Sequence, residues 1–398
     1  MTYAVSEGPL RLLVIQPTPY CNLDCDYCYL PNRDDRSQLS LTTLERSLDR
    51  VLESPFVGES FTLLWHAGEP LTMPPAFFDA ATDAIRAALA RHGFPLDTIS
   101  QSLQTNGIGL SDRWCECFIR NDIHAGISLD GPAFLHDRHR RTRNDRPSHA
   151  AVMRGVKLLQ QHDIPFNVIT VLSDTSLDYA DAIYDFFAEN NIRRVGLNME
   201  ETEGANIHSS LDQPGMDERY QRFIQRFWER CVQEPGRVLV REFEGLTSLI
   251  AAEERLLGTD MNQPFAIVNI DAAGNISTFD PELLSVKTDR FGDFVFGNVF
   301  DNSLATILDN PKFQTIHQEI ACGVEACRTT CEHFGICGGG SGSNKYWEHG
   351  RFDVSETQHC RYRVKLLADV VLNGMESALG LTAHAPGQPA PTTSEPRP

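Results

Sequence analysis

Residues 16–33 read QPTPYCNLDCDYCYLPNR and close a short apolar, strand-like run at Leu12–Gln16. Cys21, Cys25 and Cys28 are separated by three and two residues, so three thiols sit on one loop at the carboxyl end of a strand. Three thiolates on one loop can hold three irons of a [4Fe–4S] cube and leave the fourth iron open, as a catalytic metal requires. The competing reading, a structural zinc knuckle, wants a fourth Cys or His close by, and His66 could supply one only across the fold.

Outward from this loop the chain alternates. Strand-like runs recur at Phe61–His66, Ile99–Gln104, Ile123–Leu129, Phe166–Leu172 and Arg194–Asn198. Helical patterns lie between and after them at Leu41–Leu52, Ala76–Ala90, Asp112–Arg120, His149–His162, Leu177–Asn190 and Asp217–Cys231, with Ser40 and Ser111 placed as N-caps. Six strand-then-helix units in order predict an α/β fold with a parallel sheet and helices outside. Six are too few for the closed eight-strand barrel, so an open, partial (β/α)6 barrel is expected over residues 1–235, with ligands beyond the carboxyl ends of its strands. After about residue 235 the rhythm stops. Phe265–Thr278 reads as a hairpin turning at Asp271–Asn275, followed by short helices near Leu304–Leu308 and Pro311–Glu319 and a last helix near Arg361–Leu379. A second domain is expected over 236–380, and the Pro- and Thr-rich residues 381–398 are expected to be disordered.

The chain has 398 residues, 35 Lys plus Arg against 54 Asp plus Glu, and a net charge of −19, which argues against nucleic acid as a partner. No apolar run is long enough for a membrane span and no signal peptide precedes the first strand, so the chain reads as cytoplasmic, without a membrane partner. In that compartment its 11 cysteines point to metal or redox chemistry rather than disulfides. Eight fall in two sets, Cys21–Cys28 and Cys322–Cys360. Cys115, Cys117 and Cys231 read as packed thiols.

Short motifs recur at the other strand ends. WHAGEP (65–70) ends the second strand, QTNG (104–107) the third and SLDGP (128–132) the fourth, the last followed by HDRHR (136–140). With Tyr27 directly before the last cysteine of CxxxCxxC, this series resembles the radical S-adenosylmethionine (SAM) enzymes. The resemblance implies a [4Fe–4S] cluster on Cys21, Cys25 and Cys28, and SAM bound by Tyr27, Gly68, Glu69, Gln104, Asn106, Ser128, Asp130, Arg140 and Leu197. Gly68-Glu69-Pro70 stands for the segment that binds the SAM amino group, with Ala67 replacing its first glycine. Ser128 and Arg140 match SAM contacts of the sulfatase-maturase-like branch, and Leu197 falls where that branch closes over the adenosine. The chemistry implied is reductive cleavage of SAM to a 5′-deoxyadenosyl radical that removes a substrate hydrogen, with electrons from an external donor such as a flavodoxin or ferredoxin. Asp130 also reads as a turn residue before Gly131, and His66, His136 and His139 read as structural or solvent-facing.

The second set, Cys322, Cys327, Cys331, Cys337 and Cys360, resembles the SPASM extension of peptide-modifying radical enzymes. The full extension has seven cysteines for two auxiliary clusters. Here Phe279 and Ser341 stand at two of the first cluster's positions, and no cysteine lies between Cys231 and Cys322. One auxiliary [4Fe–4S] cluster is therefore expected, on Cys327, Cys331, Cys337 and Cys360, with Cys322 as a possible substitute. GGGSGS (338–343) lacks the Gly-Lys-Ser/Thr ending of a phosphate loop and reads better as a loop wrapped closely round a cluster. In the sulfatase-maturase relatives an Asp at the position of Asp280 is a base toward the substrate radical; a turn residue before Pro281 is the plain alternative.

Over about residues 8–375 the motifs look most like the GrrM/OscB-type maturases of glycine-rich-repeat precursor peptides, in the cyclophane-forming group. That resemblance implies abstraction of a side-chain Cβ hydrogen from a ribosomally made Gly-rich peptide and bonding of that carbon to an aromatic ring. Formylglycine or thioether formation by the same machinery, and a non-catalytic iron–sulfur or zinc peptide-binding scaffold, are the alternatives. A scaffold would predict decay of the SAM motifs, which is not seen.

Overall fold

A computed structural model of the chain describes residues 8–380; the tail expected to be disordered lies outside the described residues. Strands β1 (Leu12–Ile15), β2 (Phe61–Trp65), β3 (Ile99–Thr105), β4 (Ile123–Ser128), β5 (Phe166–Leu172) and β6 (Arg194–Met199) pair in sequence order, all parallel. Helices α1 (Leu41–Leu52), α2 (Pro75–His92), α3 (Asp112–Asn121), α4 (Ala133–His139), α5 (His149–Gln161), α6 (Ala180–Glu189) and α7 (Met216–Gln233) are interleaved with them. β1 reads LLVI and is buried on both faces after its first residue, as a central parallel strand with layers above and below must be. Ser40 caps α1 by accepting the Thr43 N–H (3.0 Å), while Ser111 stands at the N-cap of α3 without accepting any backbone N–H.

The sheet stays open, as expected, but carries ten strands rather than six, in the order β12-β9-β8-β1-β2-β3-β4-β5-β6-β7. A short β7 (Leu239–Val240) extends β6 and leads into α8 (Arg241–Ala251). The expected hairpin forms β8 (Ile267–Ile270) and β9 (Asn275–Thr278), and β8 lies parallel to β1 in the register Leu12↔Ile267. At the hairpin's turn Asp271 Oδ1 accepts the N–H groups of Ala273 and Asn275 while Gly274 takes a φ of +84°, the division of labour such turns require.

A small pair, β10 (Lys287–Thr288) and β11 (Gly292–Asp293), and the edge strand β12 (Gly297–Asn298) follow. The helix expected at Pro311–Glu319 runs much further, as α9 (Pro311–Thr330). Its buried stripe, Phe313, Ile316, Ile320, Gly323 and Cys327, keeps helical period but ends in small residues whose apolar character is easily missed. Short helices α10 (Phe334–Cys337), α11 (Gly342–His349) and α12 (Gln358–Cys360) come next. The last helix opens with a single π turn, Arg361–Leu366, before α13 (Leu367–Ala378). Among the described residues no helix is long and apolar enough to cross a membrane.

Candidate active site

The cysteine loop is clasped by the segment that follows α4. Leu23 and Thr142 form a β-bridge, Asp24 N–H donates to Arg141 O (2.8 Å), and Arg143 Nε donates to Cys21 O (2.6 Å). Arg33 closes the loop from within by donating to Cys25 O (3.0 Å). Held this way, Cys21, Cys25 and Cys28 line a cavity of about 300 Å³ at the carboxyl edge of the sheet. Burial pushes the Cys21 and Cys25 thiols up to about 12, so both must release a proton to bind iron. Among the described residues no three His, Cys, Asp or Glu groups converge on one metal ion. Thiols that each take a different iron of a cube need not converge, so this donor set suits a cluster better than a zinc ion.

Ten of the twelve residues expected at this site line the cavity: the three cysteines with Tyr27, Gly68, Glu69, Gln104, Asn106, Ser128 and Arg140. Glu69 does so with its carboxylate already engaged. It is 1% exposed and accepts from Leu71 N (2.9 Å), Thr105 Oγ1 (2.6 Å) and Asn106 N (2.8 Å), tying the end of β2 to the end of β3. Gly68 takes a φ of +76°, and a Cβ there would lie 2.2 Å from Thr18 O in the strand-to-cysteine connection. Ala67 also has a positive φ, +67°, a conformation that costs an L-residue roughly 1–2 kcal/mol. Gln104 Nε2 donates to Ser128 Oγ (2.9 Å), reaching over Gly126, where a Cβ would meet Gln104 Oε1 at 2.2 Å.

Asp130 stands behind the cavity wall rather than on it. It accepts from Tyr27 Oη, from Arg140 Nε (2.8 Å) and from Val171 N (3.0 Å). Burial would raise its pKa, but the Arg140 guanidinium and its other partners hold it below the usual carboxylate range. Asp130 is thus the anchor for the two lining residues, more than the turn former the sequence also allowed. Its own N–H donates to His136 Nδ1 (3.3 Å), and His136 Nε2 reaches Ser148 Oγ (2.8 Å), which donates to Arg140 O (2.6 Å). Burial pushes His136 down to about 4, so it is a neutral structural link. Leu197 is not among the residues lining the cavity: it pairs with Thr170 of β5, its N–H donates to Glu242, and its neighbours Asn198 and Met199 line the cavity.

The sequence reading missed an acidic wall. Glu200, Glu201 and Glu203, directly after β6, and Glu282 line the same cavity, with Tyr29 and His66 nearby at 3.2 Å between Oη and Nε2. The run of acids at a strand's carboxyl end was the available signal. Glu201 accepts from Asn344 Nδ2 (2.8 Å) and pairs with His359 Nδ1 (2.7 Å), which holds it below its ordinary value against the effect of burial. Burial and then Glu201 push Glu203 well above the usual range, and burial and then Asp280 push Glu282 up to about 8. Asp280 itself does not line the cavity. Its Oδ2 accepts from Ser341 Oγ (3.0 Å) and Ser343 N (2.9 Å), Oδ1 has no partner, and burial pushes the acid up to about 7.

Cys327, Cys331, Cys337 and Cys360 line a second cavity of about 440 Å³. Cys322 does not: five residues before Cys327 on α9 it points about 140° away, and it is exposed. Gly338, Gly339 and Gly340 all take positive φ beside this cavity, and Asn262 Nδ2 donates to the carbonyls of Gly338 (2.9 Å) and Gly340 (3.0 Å). His359 lines the second cavity and Glu201 the first, so their hydrogen bond spans the wall between the two. Phe279 is fully buried and stacks on Phe313 with centroids 6.0 Å apart. Cys115 and Cys117 are buried on α3, and neither they nor Cys231 line either cavity.

Comparison with known proteins agrees with this geometry. The chain is 50% identical to an uncharacterized protein of Synechocystis sp. over 94% of both chains. It is 34% identical to a serine-type anaerobic sulfatase-maturating enzyme of Bacteroides thetaiotaomicron over 47% of this chain and 45% of that protein, and 32% identical to one of Klebsiella aerogenes over 60% and 58%. These matches thus span only about half of the maturating enzymes' length. Among solved structures, anSMEcpe with bound AdoMet superimposes with a TM-score of 0.73 at 20% identity, covering 93% of this chain and 99% of that one. Streptococcus suis SuiB bound to precursor peptide SuiA gives 0.59 at 19% identity, covering 89% and 76%. At such identities the likeness speaks to the fold. The sequence model described as the radical SAM superfamily matches residues 15–200, from the end of β1 to just past β6. That span, a little under half of the chain, is the parallel sheet whose carboxyl edge carries the three-cysteine cavity, and it is this part of the chain that is similar to the radical SAM superfamily.

Proposed function

We propose that this enzyme modifies a ribosomally made, glycine-rich precursor peptide, joining a side-chain Cβ to an aromatic ring of the same peptide. The observation that carries this reading is the fate of the two vacated cysteine positions. Phe279 is packed into an aromatic core and Ser341 is bonded to Asp280, which supports the reading that this chain holds no first auxiliary cluster. The chain would then hold one auxiliary cluster, unlike the better-known formylglycine- and thioether-forming enzymes with full cysteine sets.

Residues 1–235 would carry the reaction and 236–380 the auxiliary cluster. Cys21, Cys25 and Cys28 would hold the SAM-binding [4Fe–4S] cluster, and Cys327, Cys331, Cys337 and Cys360 the auxiliary one. When bound, the first cluster and SAM supply a carbon-centred radical that takes a hydrogen atom from the substrate. The protein's work is positioning. Arg140, fixed by Asp130, and Ser128, fixed by Gln104, offer polar contacts on the sheet side. Ile169, Val171 and Met199 keep part of the cavity dry. A ring carbon that has formed a new bond to a carbon radical must lose one electron and one proton to regain aromaticity. The electron would pass to the auxiliary cluster on Cys327, Cys331, Cys337 and Cys360, and a carboxylate facing the cavity suits the proton. Glu282 faces it and Asp280 does not, so we assign the proton to a Glu282 carboxylate oxygen.

Formylglycine formation is the second reading, favoured by the 34% and 32% identity to sulfatase-maturating enzymes. Co-expression with a neighbouring small glycine-rich peptide separates the two by mass spectrometry. A loss of two hydrogens that resists alkylation and ignores hydrazides supports the crosslink. A hydrazide-reactive product overturns it in favour of formylglycine, and an unmodified peptide overturns the assignment of this substrate.

A further inference from the structure

We propose that Lys345 sets the reduction potential of the cluster held by Cys327, Cys331, Cys337 and Cys360, through a charged N–H···S hydrogen bond to Cys327. This rests on the reading of that cysteine set as a cluster site.

Lys345 lies in α11, is 3% exposed, and places its Nζ 3.5 Å from Cys327 Sγ. Burying an ammonium is expensive unless a partner compensates it. Among the described residues that sulfur is its hydrogen-bond partner, and no carboxylate pairs with it. The other cations lining this cavity differ. Arg241 and Arg363 pair with Glu242, and Lys365 pairs with Glu356 at 3.2 Å. Lys345 is thus the cation of this cavity whose charge no carboxylate offsets, in a chain of net charge −19.

The neighbouring backbone is shaped to admit it. Gly323, one helical turn before Cys327 on α9, is the point over which the lysine passes. A Cβ there would lie 3.1 Å from Lys345 Nζ and 2.2 Å from Phe352 O. Cys327 Sγ also lies 3.0 Å from Ser355 O, so the lysine reaches this sulfur beside a backbone carbonyl that cannot donate to it. A cube bound by four thiolates carries net negative charge that grows on reduction, so a positive donor at a ligand sulfur favours the reduced form.

The test is an anaerobic redox titration followed by electron paramagnetic resonance. It uses full-length chain carrying Cys21, Cys25 and Cys28 changed to Ala, so that only the second site reports. About four irons per chain in this background establish the site, and their absence overturns the cluster reading rather than the role of Lys345. With iron retained, K345M should lower the midpoint by about tenfold in the reduction equilibrium, about 59 mV for one electron. K345R should restore most of the shift, K345Q should fall between, and K365M should move the midpoint by clearly less. A K345M midpoint equal to the parent's, or one matched by K365M, overturns the proposal. Loss of iron in K345M, K345Q and K345R alike overturns it too, since it would make Lys345 a structural requirement of the site.

Discussion

Ser341 Oγ donates a 3.0 Å hydrogen bond to Asp280 Oδ2, so the residue four after Cys337 grips the acid that directly follows Phe279. The grip turns Asp280 into a strut between the β8–β9 hairpin and α11.

A strut of this kind has a pH signature. Asp280 is raised from 3.8 to about 7 by burial, so the folded protein holds its proton more tightly than the unfolded chain. Its contribution to stability is full below 3.8 and is lost as pH rises through about 7. The melting temperature of the parent should fall between about pH 5 and pH 8, and D280N should flatten part of that fall. Equal slopes for the two proteins would show that Asp280 titrates as an ordinary surface acid.

Proton acceptance is expected at Glu282 instead. E282Q should lower product formation by roughly 10²–10⁴ while 5′-deoxyadenosine still forms, whereas D280N should keep product. Glu282 faces Asp280, Glu201, Glu203 and the Tyr29 hydroxyl, and burial with Asp280 raises it to about 8. Parent product formation should therefore climb with pH through about 8, because the base works only when deprotonated. Full product from E282Q, assayed by mass spectrometry, would remove the assignment.

The Asp130–Arg140 pair, 2.8 Å apart and nearly sealed from solvent, sets a stability test. D130N leaves a buried guanidinium without its counter-charge and should cost about 3–5 kcal/mol. Y27F removes one hydrogen bond to the same carboxylate and should cost about 1 kcal/mol. Urea unfolding of the two variants should keep that order; a D130N loss no larger than that of Y27F would mean the pair is solvated in solution.

Two adjacent residues should respond in opposite directions to small changes. G68A drives a Cβ into Thr18 O and should displace the cysteine loop, dropping reconstituted iron from about eight to about four per chain. A67G relieves a left-handed alanine and should stabilise by about 1 kcal/mol without loss of iron. Undiminished iron in G68A would show that the loop does not depend on this contact.

The sheet and both cysteine sets were legible because their signals are local. A short apolar run between helical patterns marks each of the first six strands, and CxxxCxxC places three thiols on one loop whatever the rest of the chain does. Legibility failed where a face or a distant partner decides. Leu197 and Asn198 are both apt strand-end residues, and only the pairing of β6 with β5 determines that Asn198 turns inward. Asp280 and Glu282 are likewise two residues apart, and the contacts of Asp280 with Ser341 and Ser343 separate them. The acidic wall is assembled from the loop after β6 and the segment after β9, elements whose meeting no local pattern announces. α9 was cut short because its buried stripe runs out through Gly323 and Cys327, residues that carry little hydrophobic signal.

The register of β1 has a consequence for the order of synthesis. β1 carries the cysteine loop at its end, and one of its two neighbours, β2, emerges early. The other, β8, is made about 250 residues later, since Leu12 pairs with Ile267. At ribosomal speeds of roughly 5–20 residues per second, that edge of β1 stays unpaired for roughly 10–50 s in each new molecule. An open parallel edge is a place where chains join wrongly. Slower translation upstream of residue 267 should therefore reduce the yield of iron-loadable protein more than slower translation after it.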